Sequence, residues 1–434
     1  MRAIASIALL AIGVAEAQDP LLDRVRRIAA ERLANTPNFT CVLEIERSVY
    51  PSATSPRFLT RDRTRLEVSV VDGRELFAWP GESFEERPLT DFLGPGVAST
   101  GEFSAHGLTV FGDPRTTIEP APGDQAGGRS SYSYRVPVEA SQYVVHTAGR
   151  PHTASYEGVF HVDNQSAQVL GFEVNVPKPP AGTGIARVAT VVDYAQTEVG
   201  GSTVWLPSTA EIEVESAQGP TARNQLRFPS CRSFQAETTI RFFDEGDAGS
   251  ATESAVQNVT LPQGLELPLE LRDPISSDRA WAGDRFSAVS YKSVKAPGDL
   301  LILKGAEVSG RVVRIETIDR SRAGETKEKV RRLTAISLQL AEIRWGDSCA
   351  PISATLELVE RIPQMGRLDP SGRVELNRTR FSTNRAIAYD TRAELSEPSL
   401  GTFIVHGEFY LIRTGARMRW ITGTAPETAC AEVH

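Results

Sequence analysis

The chain has 434 residues, 47 basic against 55 acidic, for a net charge of −8. An acidic balance with interspersed charges argues against a nucleic-acid partner, which wants a basic stripe. Beyond the first residues no apolar run reaches the ~18 residues that span a bilayer, so no transmembrane segment is expected in the mature chain.

The N-terminus sets the compartment. Met1–Arg2 is a short positive start, Ile4 to Val14 is almost wholly apolar, and Ala15–Glu16–Ala17 is a small-x-small site. That order reads as a secretory signal peptide over residues 1–17, so the expected location is periplasmic or secreted. Asp19–Pro20 then supplies an N-cap acid and a proline at the first helical position. Leu21, Val25, Ile28, Ala29 and Leu33 recur at helical spacing, and Asn35 and Pro37 end the predicted helix.

Beyond this helix the period changes to two. Cys41, Leu43 and Ile45 share one face, Leu66, Val68 and Val70 another, and Asp72–Gly73 forms a hairpin turn into Phe77 and Trp79. The stretch from Leu89 to Phe111 lacks alternation and suits a loop with a short second helix. Tyr132, Tyr134 and Val136, then Leu170, Phe172, Val174 and Val176, then Ala210 and Ile212 continue the alternation. The pattern is that of an antiparallel sheet apolar on one side and polar on the other. Residues 245–260 are small, polar and without period, and read as a linker between a domain of residues 18–244 and one of residues 261–434. The second half repeats short strands with Gly turns, including Leu265 to Leu271, Phe286 to Ser290, Val308 to Val312, Leu333 to Ile343 and Phe403 to Ile412, and suggests a small β-barrel or sandwich. Thr317–Arg331 and Ile362–Arg385 read as polar, Arg-rich insertions. The fold class is mainly β, with an α+β N-terminal domain: an antiparallel half-barrel sheet with an amphipathic helix, then the second β unit.

Four cysteines, Cys41, Cys231, Cys349 and Cys430, suggest disulfides in an exported protein. Three connectivities exist; pairing within each half respects the domain boundary and is expected.

Two stretches carry family resemblances. The helix, the strand ending at Tyr50, the Asp–Gly hairpin, "FHVDNQSAQVLGFEVNV" (Phe160–Val176) and "VDYAQTEVGGSTVWLPSTAEIEV" (Val192–Val214) follow the order of the periplasmic lipoprotein-carrier (LolA-like) fold. Residues 20–243 resemble that family, which implies a concave apolar face able to hold acyl chains. Leu261–Pro262–Gln263–Gly264, Ile275–Ser276–Ser277, Gly283–Asp284 and "ILKGAEVSGRVV" (Ile302–Val313) resemble the β-barrel domain of the TrbI-like conjugation family.

Chemical motifs are sparse. His146 and His152 flank a predicted turn and His161 with Asp163 lies on the next strand, a set suited to zinc; three unrelated surface histidines is the better reading, so no metal is expected. Glu211, Glu213 and Glu215 read as a solvated strand face. There is no Gly-x-Ser-x-Gly, His-Glu-x-x-His or phosphate loop, and no cofactor is expected. The leading expectation is therefore an exported, non-catalytic binding protein of the cell envelope. It would hold an apolar small molecule or lipid against Leu43, Ile45, Leu66, Val68, Phe77, Trp79, Phe172 and Val174. The alternatives are an envelope scaffold that binds protein partners, and a hydrolase with an unrecognised site.

Overall fold

The computed structural model describes residues 19–35, 38–71, 74–233, 257–319, 332–359, 374–375, 400–424, 426 and 430, less 95, 99, 102, 104, 123–126, 148–149 and 298–299. The predicted signal peptide lies outside the described residues, as do most of the linker and of the two Arg-rich insertions.

The first half opens on α1 (Pro20–Asn35), followed by β1 (Phe39–Tyr50), β2 (Thr60–Val71), β3 (Arg74–Ala78), α2 (Thr90–Leu93), α3 (Ala105–Gly112), β4 (Thr117–Pro120) and β5 (Arg129–Val136). Then come β6 (Val144–Thr147), β7 (Arg150–Thr153), β8 (Tyr156–Asp163), β9 (Val169–Val176), β10 (Ile185–Val199), β11 (Ser202–Ser216), β12 (Thr221–Arg227) and β13 (Cys231–Ser233). Asp19 caps α1 as its sequence position implies: its Oδ1 accepts from the Leu21 and Leu22 amides at 2.9 and 3.2 Å. The other carboxylate oxygen accepts from the Tyr132 hydroxyl at 2.8 Å and ties the helix start to β5.

The strands form an antiparallel sheet in the order β3-β2-β1-β12-β11-β10-β9-β8-β5-β4. Val71 opposite Arg74 closes the predicted hairpin. α1 and α3 pack on the sheet: Val25 and Val110 join its buried cluster, and Phe111 meets the rings of Phe160 and Phe172 at 5.1 and 5.9 Å. Period-2 alternation drives this, because each strand buries one row of side chains and leaves the other to water.

The second half contains β14 (Gln257–Asn258), β15 (Glu266–Leu271), β16 (Ile275–Ser276), β17 (Arg285–Ser290), β18 (Val294–Lys295), β19 (Leu301–Ile302) and β20 (Glu307–Asp319). It continues with β21 (Arg332–Trp345), β22 (Ser348–Pro351), β23 (Ala354–Val359), β24 (Val374–Glu375), β25 (Gly401–His406), β26 (Leu411–Ile412) and β27 (Arg417–Thr422). Its main sheet runs β25-β21-β20-β17-β15-β27-β23-β24 and encloses a second buried cluster around Leu267, Leu269, Ile336, Leu338 and Trp420. The sheet curls until Gly401 on β25 reaches β23 and β27: a Cβ there would stand 2.3 Å from the Trp420 ring and 2.5 Å from Leu356 Cβ. No ladder joins β25 to β23 among the described residues, so the expected barrel is an open, curled sheet rather than a closed one. Gln257 and Asn258, at the end of the predicted linker, pair in parallel with Ser348 and Cys349.

Both disulfides lie within the halves. Cys41 and Cys231 are register partners on β1 and β13, and Cys349 bonds Cys430. No helix is long and apolar enough to cross a membrane among the described residues.

Among the described residues one ladder connects the halves. Thr60, Arg61 and Asp62 of β2 pair with Ile318, Thr317 and Glu316 of β20. Beside it the Arg65 amide donates to the Ala282 carbonyl at 2.7 Å, and the Ala282 amide to the Arg63 carbonyl at 3.2 Å. Arg65–Asp284 and Arg311–Glu82 ion pairs, at 2.5 and 2.6 Å, bracket the joint.

Candidate binding cleft between the two halves

The space beneath the first sheet is filled. Leu43, Ile45, Leu66, Val68, Phe77 and Val174 are core residues with at most 5% exposure. Tyr132 stacks on Phe160 at 5.3 Å, and Tyr134 meets Phe172 edge-on at 6.1 Å. Tyr156 is buried in the same layer, and that burial pushes its hydroxyl up to about 12. A cavity between α1 and the β9–β10 ladder, lined by Val25, Phe172 and Tyr194, holds about 40 Å³.

A larger space opens where the halves meet. A cleft of about 580 Å³ is lined from the first half by Arg47, Asp62, Trp79 and Phe92, among others, and from the second by Arg314, Ile315 and Gln339. Of the eight side chains expected to contact a ligand, Trp79 borders this cleft, Phe172 borders the small cavity, and the other six border neither.

The floor of the cleft is built by register. Arg47 follows Leu43 and Ile45 on the inward row of β1, and Asp62 precedes Thr64 and Leu66 on the matching row of β2. The Arg47 side chain, 7% exposed, donates from Nε and Nη2 to the two carboxylate oxygens of Asp62, both at 2.9 Å. It also donates to the carbonyls of Leu93 and Gly94, which fixes the end of α2. Next to Arg47 in register, Asn224 donates from Nδ2 to the Val97 carbonyl at 2.8 Å and holds the same loop.

On the other side of Asp62 stands Glu316, its partner on β20. Glu316 is 2% exposed and accepts from Arg314 two residues earlier. Burial holds the Asp62 carboxyl above its ordinary range; Arg47 opposes the rise and Glu316 adds to it. The walls are aromatic: Trp79 meets Phe92 edge-on at 5.3 Å, and the Arg87 guanidinium lies over Phe92 at 4.6 Å. Arg311 holds the back of Trp79, its guanidinium 5.7 Å from the ring centre, while donating to the Gly283 carbonyl and the Glu82 carboxylate at 2.6 Å each.

No protein-family model matches the chain, and no curated protein matches it. Among solved structures, that of a DUF1329 family protein from Desulfovibrio piger is similar over 50% of this chain and 94% of its own, at 11% identity and a TM-score of 0.21. A TM-score of that size carries no argument about fold or function. The resemblance of residues 261–313 to the TrbI-like barrel gains no support: no family model matches, and the sheet there stays open.

The histidines are not brought together by register. His152 stands opposite Val145 and His146 opposite Pro151, so the two are not hairpin partners; the His146 side chain lies outside the described residues. His161 Nδ1 is 2.9 Å from Ser131 Oγ, and Nε2 is 3.5 Å from Glu173. Among the described residues one group has metal-ligand spacing, Glu342, Cys349 and Cys430. Its two sulfurs form a disulfide and offer no thiolate. On the face of β11, Glu211 is exposed while Glu213 and Glu215 share Arg187, at 3.1 and 2.9 Å.

Arg47, Asp62, Arg314 and Glu316 were not singled out by sequence reasoning. The available signal was phase: Arg47 occupies the position after Leu43 and Ile45 that alternation assigns to the core.

Proposed function

We propose that this chain is an exported, non-catalytic binding protein of the cell envelope, and that its ligand lies in the cleft between the halves. Export is inferred from the signal-like start and is supported by two disulfides, which persist in oxidising compartments. The observation that carries the binding role is the cleft itself. Its 580 Å³ falls in the usual range for small-molecule sites, roughly 300–1,000 Å³, whereas 40 Å³ under the first sheet suits about one water. A lipid chain under that sheet would have to displace Phe111 or Phe172; a polar molecule with an apolar edge fits the cleft as it stands.

Native mass spectrometry of protein purified from its own host tests this reading. We expect a retained small molecule that is lost from Gln339→Trp, which plugs the cleft from an exposed position. Retention unchanged in that variant, or no retained molecule, overturns it.

A scaffold role is the second reading, favoured by one observation: Phe409, in the turn between β25 and β26, is 83% exposed. A co-purifying envelope protein lost from Phe409→Ser would support it.

A further inference from the structure

The charges in the cleft are unequally committed. Both oxygens of Asp62 accept from Arg47, and Arg47 spends its remaining reach on the Leu93 and Gly94 carbonyls. That pair is closed to a ligand. Arg314 differs. One of its terminal nitrogens donates to Glu316, and among the described residues no other hydrogen bond is made by its guanidinium, which has five N–H donors. It is 19% exposed, rising from the floor of the cleft. Arg87 lines the cleft from an exposed position, its guanidinium over the Phe92 ring, and no carboxylate pairs with it among the described residues. Asp91, on α2, also lines the cleft.

Two guanidiniums with uncommitted donors therefore border one cavity, one on a rigid strand and one held over an aromatic ring. Such groups suit oxyanions, because the planar fork presents paired N–H bonds to two oxygens at once. Trp79, Phe92 and Ile315 are large apolar side chains that line the same cleft. A net charge of −8 repels anions at long range, so an anion in this protein needs a local cationic site.

We infer that the cleft binds a small molecule bearing a carboxylate or phosphate, held by Arg314 and Arg87. This rests on the cleft being the ligand site. The Arg47–Asp62 pair stays closed, and the anion is met by donors of Arg314 and Arg87 already in place.

Isothermal titration of the mature full chain with inorganic phosphate, and separately with succinate, tests the inference. Saturable binding of one probe is expected, and which one binds distinguishes phosphate from carboxylate. Arg87→Glu should weaken it at least tenfold and Arg314→Ala at least as much, with circular dichroism unchanged for the former. Arg314→Ala removes an ion pair from the buried Glu316, so Arg87→Glu, at an exposed site, carries the test even where that variant unfolds. Equal binding by wild type and Arg87→Glu overturns the inference. So does failure of both probes to bind while native mass spectrometry shows a neutral molecule that Gln339→Trp loses, an outcome that leaves the cleft as the ligand site. Absence of any retained molecule together with failure of both probes to bind removes both.

Discussion

Asp62 and Glu316 face each other across the ladder that joins the two halves, two carboxylates in direct register on β2 and β20. Like charges opposed across strands destabilise the pairing. Arg47 meets Asp62 from β1, on the far side of that row, and Arg314, two residues before Glu316 on β20, pairs with Glu316 along its own strand.

The first prediction concerns the pH response of that row. The folded-state pKa of Asp62 is raised, so the folded chain takes up this proton at a higher pH than the unfolded chain does. Asp62 therefore favours folding most below the ordinary aspartate range, and that contribution is lost as pH rises through the raised value. Glu316→Gln removes the opposing charge and should bring the Asp62 midpoint down. Carboxyl-carbon NMR titration of both proteins checks this; an unmoved midpoint contradicts it.

The second concerns Arg47. Arg47→Ala strands a buried carboxylate and frees the carbonyls of Leu93 and Gly94, at a cost of about 3–5 kcal/mol. Arg47→Lys cannot span both Asp62 oxygens and should recover only part of the loss. Urea unfolding of the three proteins gives the ranking; a lysine variant as stable as wild type would show that the paired geometry is irrelevant.

The third concerns the joint. Gly283 has φ +108°, and a Cβ there would stand 2.1 Å from the Arg65 carbonyl oxygen. Gly305, at φ +90°, has nothing within 4 Å. Gly283→Ala should cost on the order of 3 kcal/mol or more, combining backbone strain with a clash, and Gly305→Ala about 1 kcal/mol from strain alone. Equal melting temperatures for the two would remove the joint as a tightly packed element.

The fourth concerns separability. A fragment of residues 18–244 should fold under oxidising conditions, because residues 22–228 supply their own buried cluster and Cys41–Cys231 closes within it. It should lose cleft binding altogether, since Arg314, Ile315 and Gln339 belong to the other half. Insolubility of the fragment would mean that the β2–β20 ladder is required for folding.

Local rules made much of this fold legible. Asp19–Pro20 announces a capped helix, the alternation of Cys41, Leu43 and Ile45 announces the buried row of β1, and the cysteines pair as the two halves imply. The joint was not legible. A ladder is made of backbone groups, and any strand supplies those, so nothing in Thr60–Asp62 names Glu316–Ile318 as its partner. The cleft was hidden for a related reason. Six of the eight side chains expected at a ligand follow the apolar rule so well that they fill the core. The cleft instead uses Arg47 and Asp62, polar residues in phase with that core, whose burial is accounted for only once each has found the other.

The ladder between β2 and β20 also fixes how the cleft can be used. Two lobes on a loose tether can swing shut on a ligand, as a jaw does. Here hydrogen bonds run unbroken from β1 through β2 and β20 to β21, and Arg65–Asp284 and Arg311–Glu82 brace the joint. That continuity predicts a notch of set width rather than a hinged jaw. A molecule would enter it without a closing step, selectivity would rest on size and charge at the mouth, and affinity would come from surfaces that are in place before the ligand arrives.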